Sequence, residues 1–241
     1  MILKQLNPIA RKGLRFFLYA LFTGALVLLV TWEAMHHPKA DLFHEDSILE
    51  GLQAAILFFT AACAYLAGHL DTSEKPLTSV LVGAAGIAAV REFDFALDRY
   101  VFDGAWQALV TAIAISTAIH AYQNRQALKD AILDFLNRPS FGIMASGFIT
   151  VFVFSRLIGR QVLWKAIMSD EYMRVVKIAV EESFELLGYS LIFIGALEFL
   201  RETLLRKDNA TQPQTDAPLS SPTAQGDNPP VSIGHIPTHT P

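Results

Sequence analysis

Cysteine is nearly missing from this 241-residue chain. The single Cys63 excludes an intrachain disulfide and a thiolate metal cluster, and its place inside an apolar run gives it the character of a small core residue. Charge is scarce too, at 17% of residues and a formal net of −4. The basic residues stand in short groups beside apolar runs and form no broad stripe, so nucleic acid is excluded as a partner. No P-loop, G-x-G-x-x-G, C-x-x-C, H-E-x-x-H or G-x-S-x-G pattern occurs, and there is no internal repeat. What is plentiful is apolar surface: 52% hydrophobic residues and a mean hydropathy of +0.36 place the chain in a lipid bilayer.

Proline and basic residues punctuate the apolar runs. Lys4, Arg11, Lys12 and Arg15 precede a first run, Phe16 to Trp32, that is too long for a signal-peptide core and has no A-x-A cleavage site after it. Five more segments follow, at 48–70, 77–97, 105–122, 141–158 and 175–200, each near the roughly 20 residues that a hydrocarbon core of about 30 Å requires. Pro8, Pro38, Pro76 and Pro139 all fall between segments, where a missing N–H does no harm. The expectation is an all-α polytopic transmembrane bundle of about six helices in an inner membrane. The isolated N-terminal basic group and the even span count predict that both termini lie in the cytoplasm.

The spans define a domain at 1–207, and the composition changes at Asp208 to Pro, Ser, Thr, Gln and Asn, with most of the eleven prolines and few large apolar residues. Such a tail, 208–241, cannot bury enough surface to fold, and a disordered cytoplasmic segment is expected. Two connectors, Leu128–Leu136 and Val162–Met168, carry apolar residues at helical spacing and read as amphipathic helices lying along the membrane.

Acids inside the apolar runs mark a candidate site. The stretch from Arg174 to Leu200 is long enough to cross a bilayer yet contains Glu181, Glu182 and Glu185. An ionised side chain at the centre of a membrane helix costs roughly 2.5–3.5 kcal/mol, so such residues turn toward a bundle interior, a partner or water. If the helix enters the hydrocarbon near Lys177, Glu185 lies about 12 Å deeper, close to the midplane, and Gly188 on the same face permits close approach of another helix. In the third span the uninterrupted apolar part, Leu77 to Val90, covers only about 21 Å. A continuous helix would therefore carry Arg91, Glu92 and Asp94 into the bilayer, with Arg91, Asp94 and Asp98 on one face and Glu92 about 100° away. Asp46, Glu50 and Gln53 share a face of the second span, and Arg156 and Arg160 close the fifth. All intramembrane charge then falls in one extracytoplasmic layer between spans two, three, five and six.

Three readings of that layer compete. Arg91, Arg156 and Lys177 can pair with the carboxylates as an ionic lock in a non-catalytic scaffold. The surplus acids can bind a cation or relay protons. Glu50, Asp94, Asp98, Glu181 and Glu185 can hold a hard divalent cation such as Mg²⁺, Ca²⁺ or Mn²⁺ for chemistry on a lipid or lipid-linked phosphate. His36, His37 and His44, in the first outer loop beside Asp41, Glu45 and Asp46, could add imidazole ligands suited to Zn²⁺ or Fe²⁺.

The set Glu45-Asp46-x-x-x-Glu50-Gly51-x-Gln53, Arg91-Glu92-Phe93-Asp94-x-x-x-Asp98 and Val180-Glu181-Glu182-x-x-Glu185 resembles a group of bacterial multi-pass inner-membrane proteins over residues 14 to 206. The resemblance implies the architecture and no activity. The histidine cluster of alkaline-ceramidase-like hydrolases is missing. Asp94 and Asp98 give the D-x-x-x-D of aromatic prenyltransferases without the preceding Asn or the second Asp-rich repeat.

Overall fold

A computed structural model describes residues 7–36 and 48–211, and every regular element among them is helical. The helices are α1 (Pro8–His36), α2 (Ile48–Leu70), α3 (Lys75–Arg91), α4 (Asp94–Tyr100), α5 (Ala105–Gln123), α6 (Arg125–Leu136), α7 (Pro139–Ile149), α8 (Arg156–Ile158), α9 (Gln161–Met168) and α10 (Arg174–Thr211). A π-helical stretch, Thr150–Ser155, joins α7 to α8, so the three form one wide-turned span. The tail from 212 onward, His37, Asp41, His44, Glu45 and Asp46, and the side chain of His36 lie outside the described residues. α10 continues past the expected domain boundary at 207 to Thr211.

By helix length and hydropathy the chain is a multi-pass membrane protein, with four or five candidate spans among the described residues against the six expected. Among the described residues four helical segments are long and apolar enough to cross: Ile9–Trp32, Ile48–Leu70, Pro139–Ile158 and Arg174–Asn209. A fifth results if α4 and α5, bent by 118° at their junction, count as one broken span. The third expected span differs most. α3 has 17 residues, about 26 Å of helix, and it ends at Arg91 instead of running on to Leu97. Phe93, with φ −112 and ψ 19, leaves the helical region, and Asp94 starts a separate helix. The α4–α5 corner turns on Gly104, whose φ of 90 suits a residue without a Cβ, and its N–H donates to Asp98 Oδ1 at 3.0 Å. Asp98 is thus a turn cap.

The core is built by α10 packed between α2 and α7, with α3 packed against α2. Close approach of α7 and α10 depends on small residues, as the sequence predicts for Gly188. A Cβ on Gly147 would lie 2.6 Å from the Gly188 carbonyl oxygen, and one on Gly188 would lie 2.4 Å from the Val151 side chain. Backbone contact of this kind is how membrane helices gain dispersion energy when lipid offers no hydrophobic driving force between them. Below this seam Phe199, fully buried, meets Phe135 edge-on at 5.3 Å. Phe135 belongs to α6, so this amphipathic connector does more than lie on the membrane: it plugs one end of the bundle with Ala131 and Phe135. Cys63 is buried in the core, as expected.

α1 stands apart, with large apolar side chains such as Phe16, Phe17, Val27 and Leu28 exposed along its length. Its polar anchor is Arg15, whose Nη1 donates to both Glu198 carboxylate oxygens at 2.6 Å while the Tyr19 hydroxyl donates to Glu198 Oε1 at 2.6 Å.

Candidate functional site

The ends of α3 and α8 and the beginnings of α2 and α10 meet at one end of the bundle, and Glu185 is the centre of what they carry. Its side chain is 4% exposed. Oε1 accepts from Ser155 Oγ at 3.0 Å and pairs with Arg156 Nη2 at 2.8 Å, while Oε2 accepts from Arg91 Nη2 at 3.4 Å. The π-helical stretch widens the turn that ends in Ser155 and Arg156 and brings both onto Glu185; such stretches recur at functional sites.

Around this centre the pairs extend outward. Glu181 pairs with Arg156 Nη1 at 3.3 Å and with Lys177 one turn before it. Gly159 lies so close to the Glu181 carboxylate that any Cβ there would be 2.6 Å from its carbon. Glu92 points inward from the last turn of α3, where its N–H still donates to the Ala88 carbonyl oxygen at 3.2 Å. It takes a hydrogen bond from the Tyr189 hydroxyl at 2.9 Å and lies 3.8 Å from Arg91 Nη2. Glu182 accepts from Gln53 Nε2 at 3.1 Å, and the same amide nitrogen also reaches the Glu182 carbonyl oxygen at 3.3 Å. Gln53 is fully buried, and its Oε1 has no hydrogen-bond partner among the described residues. Glu50 is half-buried one turn before Gln53.

The predicted site residues therefore divide. Arg91, Glu92, Arg156, Glu181, Glu182 and Glu185 come together, with Glu50 at their edge. Asp94 and Asp98 do not join them: Asp94 is exposed and takes its own helix's Phe95 N–H at 2.6 Å, and Asp98 caps the corner at Gly104. Among the described residues no three acidic, histidine or cysteine side chains converge in a way that could hold a metal ion. Ser155 and Tyr189 were not legible as members. Tyr189 lies four residues after Glu185, on the same helical face, and that spacing is the signal that could have found it.

Buried charge is not confined to one layer. At the opposite end Arg138, 3% exposed in its side chain, pairs with Glu74, 4% exposed, and with Asp134. Arg206 Nη1 reaches Asp134 Oδ2 at 2.7 Å, and Glu202 accepts from Ser140 Oγ at 2.7 Å and from the Ser140 N–H at 3.3 Å at the start of α7. The bond from the Ser140 N–H satisfies a donor that the first turn of a helix leaves unpaired. With Glu198 held by Arg15 and Arg201, this end carries as many ion pairs among the described residues as the predicted layer.

Asp134, on the connector α6, has its carboxyl lowered to about 2, first by the hydrogen bonds from Arg206 and then by those from Arg138. An unfolded aspartate titrates near about 3.9, so the pairing contributes stability that is complete above about pH 4 and is lost as pH falls toward about 2. The side chain is 45% exposed, which limits the contribution to under about 1 kcal/mol. Unfolding measured across that interval should show a shallower acid limb for Asp134→Asn than for the parent. Superimposable limbs would show that the pairing adds nothing.

No protein-family model, curated protein or solved structure matches the chain, so no family is identified. Its class follows from the molecule itself: a helical membrane protein with buried salt bridges between its helices.

Proposed function

We propose that the Glu185 cluster is an ionic lock with one carboxylate to spare, and that the spare carboxylate, Glu182, binds a proton or a small cation. The observation that carries this reading is an imbalance. Glu92, Glu181, Glu182 and Glu185 face Arg91, Arg156 and Lys177, and among the described residues the side-chain partner of Glu182 is the neutral Gln53 amide. A carboxylate in that setting gains stability by taking up a positive charge. Oriented with both termini in the cytoplasm of an inner membrane, the cluster faces the extracytoplasmic side. The lock reading draws support from Glu185, whose two oxygens have three donors.

Infrared difference spectroscopy of the detergent-purified protein tests the proposal. A protonated-carboxyl band that grows as pH falls, and is absent from Glu182→Gln, is the expected proton signature. If a cation is the ligand, adding Na⁺, K⁺ or Mg²⁺ at constant pH should suppress that band in the parent alone. Identical spectra for parent and variant under every condition would overturn the assignment to Glu182.

A further inference from the structure

The bundle is open between α3 and α7. α3 packs on α2 and α5, whereas α7 packs on α10, and the space left between α3 and α7 is an apolar cavity of about 220 Å³. Ala84 and Ala88 of α3 form one wall, Phe148 of α7 and Phe152 of the π-helical stretch the other, and Tyr189 and Ile192 of α10 part of the floor. Phe148 and Phe152 are half exposed, so the cavity opens sideways toward lipid, where an apolar chain is its natural filling.

One end of this cleft is charged in a specific way. Arg91 follows Ala88 by three residues on α3, and Arg156 follows Phe152 by four on the other wall, so both guanidinium groups lie about one turn beyond the cavity. Both bind Glu185, which keeps them close together. Their acidic partners are less exposed than they are: the Glu185, Glu92 and Glu181 side chains are 4%, 6% and 15% exposed, against 40% for Arg91 and 43% for Arg156. At the cleft the two guanidinium groups are therefore more exposed than the carboxylates they bind. Each guanidinium carries five N–H donors in a planar fork, and those not used on carboxylates match the oxygens of a phosphate. Basic pockets between membrane helices are established headgroup sites for anionic lipids.

We infer that the cleft between α3 and α7 holds one acyl chain of an anionic phospholipid, with its phosphate on Arg91 and Arg156. The assignment uses neither the charge state nor the partner of Glu182, and it stands apart from the proton or cation reading.

The full chain, reconstituted in vesicles of equal phosphatidylglycerol and phosphatidylcholine with matched acyl chains, is extracted into detergent, and retained lipid is counted by native mass spectrometry. The parent should retain phosphatidylglycerol over phosphatidylcholine on the order of tenfold. Filling the cleft with Ala84→Phe and Ala88→Phe, which leaves every charge in place, should abolish retention of both lipids. Arg156→Lys keeps a positive charge for Glu185 but loses the fork, and it should lower the lipid ratio several-fold while a bound lipid remains. Equal retention of the two lipids by the parent overturns the inference. So does undiminished phosphatidylglycerol in the filled variant, which marks lipid held on the outer surface of the bundle.

Discussion

Arg138→Leu is expected to destabilise the protein by about 3–5 kcal/mol, the range for removing one partner of a buried ion pair. The Arg138 guanidinium enters the bundle just before Pro139 opens α7, and it is 3% exposed. It pairs with Glu74 and Asp134, and its guanidinium carbon lies 5.0 Å from the Phe199 ring centroid, close enough for a cation–π contact. Deletion would strand Glu74, itself 4% exposed, with no basic partner shown among the described residues. Asp134 would fare better, because Arg206 still holds it. The pair is already imperfect, since Glu74 Oε2 and Arg138 Nη1 have no hydrogen-bond partner among the described residues. Replacing both partners by leucine should therefore recover much of the loss, as apolar replacements of buried pairs often do. A double-mutant cycle of unfolding in detergent measures this directly. A single variant within about 1 kcal/mol of the parent, or a double variant as unstable as the sum of the singles, would show that the pair is not coupled.

Arg138 was beyond sequence reasoning for a definite cause. It stands beside a proline between an amphipathic connector and a span, where basic residues ordinarily mark a cytoplasmic loop. Only the insertion of Phe135 and Ala131 into the core draws that loop inside. The Glu185 layer was legible because three acids in one apolar run must be matched, and the basic residues at comparable depth were few. The same reasoning failed on α3, where the length argument assumed a straight helix. The break at Phe93 leaves Asp94 exposed while Glu92 turns inward to Tyr189, an outcome that tertiary pairing decides and hydropathy does not. The π-helical stretch carries no composition signal either, since Thr150 to Ser155 reads as ordinary apolar helix.

Glu185→Gln is expected to cost about 2–3 kcal/mol, less than the fully buried range because Arg91 and Arg156 are 40% and 43% exposed and can rehydrate at the interface. An amide oxygen can still accept from Ser155 and Arg156, but the amide nitrogen would present a second donor to Arg91 across the present 3.4 Å contact. Arg91 would be left with Glu92 at 3.8 Å, and Arg156 with Glu181 at 3.3 Å, so α3, α8 and α10 would lose their shared partner. Glu182→Gln is the informative contrast. Its carboxylate has no basic partner among the described residues, and an amide oxygen can still accept from Gln53, so the change should fall within about 1 kcal/mol of neutral. Glu181→Gln should lie between the two, since Lys177 and Arg156 would each lose a pairing at a side chain that is 15% exposed. Thermal unfolding of the three variants side by side gives the order. Glu185 costliest and Glu182 cheapest would separate the residue that locks the helices from the residue free to carry charge; the reverse order would mean that Glu182 is itself a structural partner and that the spare carboxylate must be sought elsewhere in the cluster.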